Sequence, residues 1–146
     1  MKLITILLVL CLSLIAPQAF SRDTTHMLSI SEALASADFK ERLDPSIRLY
    51  FGKQRHPKTL KSYGKFTTNK KTNAFNKSDE EACQWVLLSA LLTLQERAKR
   101  EGGNAVVNIA SYYKKKTLSS TSQYECHAGV FVSGVALSGT VVKTTK

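Results

Sequence analysis

The chain is short of several things, and each shortage removes a class of protein. Its longest apolar run, Leu3–Ile15, falls well below the ~20 residues that a membrane-spanning helix needs. It has no close C-x-x-C and H-x-x-x-H pairs of the kind that hold structural zinc, and no G-x-x-x-x-G-K-S/T phosphate loop. Gly129, Gly134 and Gly139 recur at equal intervals, but they do not fit G-x-G-x-x-G and precede no helix pattern; bulges, bends or close backbone approach explain them better. A spanning protein, a nucleotide-cradling enzyme and the common zinc modules are therefore set aside. Acid is also scarce, with 11 Asp and Glu against 21 Lys and Arg, for a net charge of +10 at pH 7.

What is present first indicates a compartment. Lys2, the apolar run Leu3–Ile15 and the small-x-small Ala19-Phe20-Ser21 form a secretory signal-peptide pattern. Residues 1–21 are thus expected to be removed, leaving 22–146 as one exported domain, periplasmic or secreted and soluble. Cys11 sits inside the apolar run without the small-residue signature of a lipid-attachment site, so a lipoprotein is not expected. A chain of this size buries roughly two thirds of its unfolded surface, enough for one core.

With Cys11 gone, Cys83 and Cys126 remain, and in an oxidising compartment their default state is a mutual disulfide. The loop so closed is worth at most ~4 kcal/mol of chain entropy. Two free thiols, or a metal site drawing on Cys83, Cys126, His56 and His127, stand as alternatives, although those ligands are scattered.

Along the mature chain, Ser29-Ile-Ser-Glu32 is a capping box, and apolar spacing predicts a helix over 30–43, stopped by Asp44-Pro45. Ile47–Phe51 and Leu60–Thr68 read as strands of a hairpin or meander, and Asn69–Asn73 as a polar turn. Asn76-Lys-Ser78 would accept a glycan only in a eukaryotic secretory pathway. Ser78-Asp-Glu-Glu81 is a second capping box. From it Cys83, Val86, Leu87, Ala90, Leu91, Leu94 and Ala98 fall on one face of a helix predicted over 79–101, which Gly102-Gly103 terminate. Ala105–Tyr113 and the run from Tyr124 to Val142 are rich in strand formers and flank a basic, Ser/Thr-rich loop. The expectation is an α+β domain, an N-terminal helical segment at 22–43 and a core at 44–146, with an antiparallel sheet of about four strands packed by the long helix.

The helix introduced by Ala82-Cys83-Gln84, the Gly103-Asn-Ala-Val-Val107 strand opening and Cys126-His-Ala-Gly-Val-Phe-Val-Ser-Gly-Val-Ala-Leu137 resemble the globular domain of the RcsF family of outer-membrane stress-sensor lipoproteins. The same helix, Asn-Ala-Val-Val and Gly139-Thr-Val-Val142 are similar to small YbjQ-type domains. The resemblance spans residues 82–142. It implies that Cys83 pairs with Cys126 and that the protein has an envelope-stress role. The chain departs from the sensor family in lacking an anchored cysteine and a Pro-rich tether, and in having Val132 where that family has a further disulfide cysteine.

Charge supplies the functional clue that comes from the residues themselves. The stretch Arg48–Lys77 holds Arg48, Lys53, Arg55, Lys58, Lys61, Lys65, Lys70, Lys71 and Lys77 and no acid, and Lys114, Lys115 and Lys116 follow in the later loop. Tyr50, Phe51, Tyr63, Phe66, Tyr112 and Tyr113 are interleaved with them. If these segments meet at one end of the sheet they form a basic, aromatic patch for polyanions such as lipopolysaccharide phosphates, anionic lipid headgroups or nucleic acid. Nucleic acid ranks last, since an exported protein seldom meets it. The competing reading is a solvated basic surface that keeps the protein soluble. For catalysis the one candidate pair is Cys126 with His127, and adjacent strand residues point to opposite faces. The acids cluster at helix ends, where capping explains them. The sequence therefore predicts a non-catalytic module with no cofactor, binding envelope proteins or anionic envelope polymers.

Overall fold

The computed structural model describes residues 21–146; residues 1–20 of the expected leader, Cys11 among them, lie outside the described residues. Strand β1 (Thr24–Ser29) is followed by two short helices, α1 (Ile30–Ala35) and α2 (Ala37–Arg42), and by strands β2 (Arg48–Phe51) and β3 (Thr59–Asn73). The long helix α3 (Asp79–Glu101) leads to β4 (Ala105–Ser111), a 3-10 turn at Tyr113–Lys115, β5 (Gln123–Ala128) and β6 (Val132–Thr144).

Helix α3 has the boundaries its sequence predicts. The Ser78 hydroxyl accepts from the Glu81 amide at 3.1 Å, and Gly102 ends the helix with φ +83°. Between these caps Cys83, Val86, Leu87, Ala90, Leu91, Leu94 and Ala98 are all buried. The first helix is instead two. Ser36 adopts extended backbone between α1 and α2, and its hydroxyl donates to the Ala33 carbonyl at 2.8 Å, a local bond that competes with helix continuation. The break turns Phe39 into the core.

The sheet has six strands in the order β1-β5-β6-β4-β2, with β3 along the other edge of β6. It is mixed, not antiparallel throughout, because β2 runs parallel to β4. The hairpin expected from Ile47–Phe51 and Leu60–Thr68 does not form: β2 pairs with β4, and β3 pairs with β6. The chain between β2 and β4 passes through β3 and α3, ample for the crossover that a parallel pair requires. Asn69–Asn73 is strand, not turn, because β6 lies beside β3 from Val132 to Thr144 and supplies every ladder partner.

Strand alternation then divides the sheet into two faces. Val135, Leu137 and Val141 of β6, Val106 and Ile109 of β4, and Tyr124 and Cys126 of β5 join α3, Ile30, Ala33 and Phe39 in one core cluster. Gln95 is the polar member of this side of α3, 3% exposed. Its side chain accepts from the Asp44 amide at 2.9 Å and donates to the Asp44 and Ile47 carbonyls at 2.9 and 2.8 Å, fixing the turn that feeds β2. Lys99 of α3 closes the same turn by pairing with the Asp44 carboxylate.

Cys83, in the first turns of α3, is bonded to Cys126 of β5, with Cα atoms 5.9 Å apart and both residues fully buried. Free thiols and a Cys-ligated metal are thereby excluded in this state, since both sulfurs are consumed.

Replacing both cysteines by Ala should lower unfolding free energy by about 2–4 kcal/mol, read from denaturant midpoints, and the wild-type chain should show no titratable thiol at Cys83 or Cys126 without reductant. Asp44 should show in acid. Hydrogen bonds from Lys99, then from Ser46, hold its carboxyl down to about 2. Stability that it contributes is therefore present above the ordinary carboxylate range and lost as pH falls toward about 2. Denaturant midpoints measured between neutral and strongly acid pH should fall less steeply for Asp44→Asn than for the wild type.

Candidate anion-binding face

The two faces differ in what covers them. Among the described residues all three α-helices contribute to the core side, and none packs on the other. On β3, Phe66 and Thr68 turn inward while Lys65, Thr67, Asn69 and Lys71 turn outward, opposite Thr140, Ser138, Ala136 and Gly134 of β6. Near the far edge, Ala105, Val107 and Val142 form a small second apolar cluster with Tyr50, and Arg48 stands beside it on β2.

Tyr112 and Tyr113, consecutive after β4, organise the middle of this face. The Tyr112 amide donates to the Ala136 carbonyl at 2.8 Å, and the Lys65 ammonium lies 5.1 Å from the Tyr112 ring centroid. Tyr113 stacks on His127 with ring centroids 3.4 Å apart and planes at 16°, and the Lys114 ammonium lies 5.3 Å from the Tyr113 centroid. Each tyrosine thus carries a cation over its negative π face.

The turn that presents the lysines is unusual. Lys114 and Lys115 have φ of +47° and +63°, a left-handed conformation that L side chains rarely adopt and that costs of order 1 kcal/mol each. Two restraints over-determine it: the Tyr113–His127 stack before it and the reciprocal Ser111–Leu118 backbone bonds, 3.1 and 2.9 Å, that close the loop. His127 is itself fixed, with Nδ1 3.1 Å from an Asp23 carboxylate oxygen and Nε2 2.5 Å from one of Glu125. The carboxylates occupy opposite edges of the ring, so the three groups cannot converge on one ion. Among the described residues no group of three or more His, Cys, Asp or Glu has metal-holding geometry.

The acid-free stretch is split by the fold. Arg48, Lys65 and Lys71 reach the open face, and Lys114–Lys116 stand at its margin. Lys53 and Arg55 are exposed in the β2–β3 loop, which returns to the same edge where His56 meets Tyr50 at 5.6 Å between centroids. Lys58 begins the approach to β3, its carbonyl accepting from Thr145. Lys61 lies over Tyr63, whose hydroxyl donates to Gly102 at the end of α3. Lys70 is half-buried on the helix side, and Lys77 donates to the Asn73 carbonyl in the β3–α3 turn. Of the interleaved aromatics, Tyr50, Tyr112 and Tyr113 belong to the open face; Phe51 is core, and Tyr63 and Phe66 pack against it.

Cys126 and His127 point to opposite faces, as adjacent strand residues must, with Cys126 oxidised in the core and His127 outside. The carboxylate partners of His127 were not legible as a cluster. Glu125 lies two residues away on the same strand face, but Asp23 arrives through the pairing of β1 with β5. Comparison of the chain with protein-family models, with curated proteins and with solved structures gives no significant match.

Proposed function

We propose that this is an exported, non-catalytic binding module whose helix-free sheet face engages anionic polymers of the cell envelope, those bearing phosphate or carboxylate groups. The observation that carries this reading is the consecutive pair Tyr112 and Tyr113, each with a lysine ammonium against its ring, beside Lys71 and the rigid Lys114–Lys116 turn. Flat rings offer apolar contact to sugar or acyl segments while the ammonium groups pair with anions. Preorganisation of the strained turn lowers the ordering cost of binding. Among the described residues no helix is long and apolar enough to cross a membrane, and a buried disulfide suits an oxidising compartment. The stress-related accessory role implied by the sensor resemblance stands as a further proposal, for which crosslinking in intact cells would identify the partner.

The test separates a face from a net charge. Lys65→Gln with Lys114→Gln should shorten salt-dependent retention on heparin and lower the slope of log affinity against log salt by about one per cation removed. Lys40→Gln with Arg100→Gln removes the same charge from α2 and α3 and should leave retention near wild type. Equal losses in both pairs would leave only a solvated basic surface.

A further inference from the structure

We propose that the outer edge of β3, at Lys65, Thr67, Asn69 and Lys71, accepts an acidic segment of a partner protein as an added antiparallel strand. Lys65 and Lys71 are shared with the anion-binding face, but the contact is made by the β3 backbone and does not depend on that reading.

Strand β3 has 15 residues, against about 5–6 in a common strand, and among the described strands it pairs with β6 alone. Which of its backbone groups that pairing uses follows from β6. The Ala136 and Val142 carbonyls accept from the Tyr112 and Asn104 amides at 2.8 and 3.0 Å, so these residues aim their backbone groups toward β4. Successive residues of a strand aim at opposite edges, so Val135, Leu137 and Gly139 aim at β3, where they meet Lys70, Thr68 and Phe66. Lys65, Thr67, Asn69 and Lys71 therefore turn their N–H and C=O groups away from β6. All four residues are exposed, and among the described residues these backbone groups have no other hydrogen-bond partner.

The open stretch is bounded at both ends. On its N-terminal side the β3–β6 register shifts between Thr59 and Lys61 and again between Ser62 and Gly64, where Gly64 has φ +103°. Such bulges bend an edge away from any further strand. From Gly64 to Asn73 the register is unbroken. On the C-terminal side the Lys77 ammonium donates to the Asn73 carbonyl at 3.1 Å, which closes the next outward residue. Between these limits the edge is regular and unpaired, the condition for strand addition, in which main-chain bonds give affinity and alternate side chains give specificity.

Charge selects the occupant. No acid lies between Arg48 and Lys77, and the β6 residues beside the four outward positions, Thr140, Ser138, Ala136 and Gly134, are uncharged. A second copy of the chain is disfavoured, because the antiparallel register that pairs all four residues with their counterparts sets Lys65 opposite Lys71 twice, and like charges directly opposite are destabilising. An acidic strand gains at the same two positions. The segment that fits carries Asp or Glu at the Lys65-to-Lys71 spacing, with strand-forming residues between them.

The experiment titrates the purified protein with the peptide Thr-Glu-Val-Thr-Val-Thr-Val-Glu-Thr, blocked at both termini, and reads amide hydrogen exchange. The Lys65, Thr67, Asn69 and Lys71 amides should exchange freely in the protein alone and slow by about tenfold or more with saturating peptide, while those of Phe66 and Thr68, already bonded to β6, should change less. The same peptide N-methylated at its Glu and Thr amides keeps its charge and should bind about tenfold more weakly or worse, as should a peptide with Lys in place of Glu. Asn69→Pro removes one outward donor at an edge position that tolerates proline, without altering charge. It should weaken peptide binding similarly while keeping the heparin retention and thermal midpoint of the wild type. Peptide left unbound, binding that does not slow these amides, or equal affinity of the N-methylated peptide or of folded Asn69→Pro would each overturn the proposal, the last three by leaving only a charged contact. Protection of the same amides by raised protein concentration alone would also overturn it, by assigning the edge to a second copy of the chain.

Discussion

The full-length antiparallel pairing of β3 with β6 is the constraint on which the rest of the molecule depends. It turns Phe66 toward α3 and Lys65 away from it, and a slip of one residue would exchange the two faces. It also fixes where α3 can sit. Gly139, paired with Phe66, allows close packing: a Cβ there would stand 2.6 Å from Val106 Cγ1 and 3.3 Å from Ile109 Cγ1, with Leu94 of α3 next at 3.7 Å. A side chain at this position would force the Val106 side chain to shift and crowd Ile109 and Leu94 behind it.

From that division two properties follow. The core side carries the stabilising devices: the α3 stripe, the Gln95 bonds to the Asp44–Ile47 turn and the Cys83–Cys126 bridge from helix to β5. The bridge holds the N-terminal end of α3, where Arg22 and His26 also converge on Asp79. The other face carries no helix and only the small Ala105–Val107–Val142 cluster, and it holds Tyr112 and Tyr113 half-buried with their lysines exposed. Strain is tolerated there, at Lys114 and Lys115, because the surrounding contacts hold the turn in place.

The long helix was legible because every local signal agreed: the capping box at Ser78, the apolar stripe and the glycine at its end. The cysteine pairing was also legible as the default of two cysteines in an oxidising setting. Less of the sheet could be read. Thr24–Ser29 is too short and too polar to stand out, and it becomes a strand because the exposed edge of β5 receives it. The polar Asn69–Asn73 segment is held extended by its neighbour, not by its own propensity. The parallel placement of β2 depends on contacts more than fifty residues apart in sequence, which periodicity does not encode. For the candidate site, the residue types were evident and their faces were not: Lys61 and Lys70 share the acid-free stretch with Lys65 and Lys71 but lie on the helix side of β3. Phe75 and Phe131, far apart in sequence, meet because the β3–α3 and β5–β6 turns lie side by side at the end of the β3–β6 ladder where Asn73 pairs with Val132.

The central claim is that partners meet the helix-free face while the helical side serves stability alone. Backbone amide chemical shifts of the protein titrated with a heparin oligosaccharide test it most directly. The account predicts perturbations concentrated in the outward positions of Lys65–Lys71 and in Tyr112–Lys116, with α3 unchanged from Val86 to Ala98. Perturbations centred on α3, or spread evenly over every exposed lysine, would contradict it.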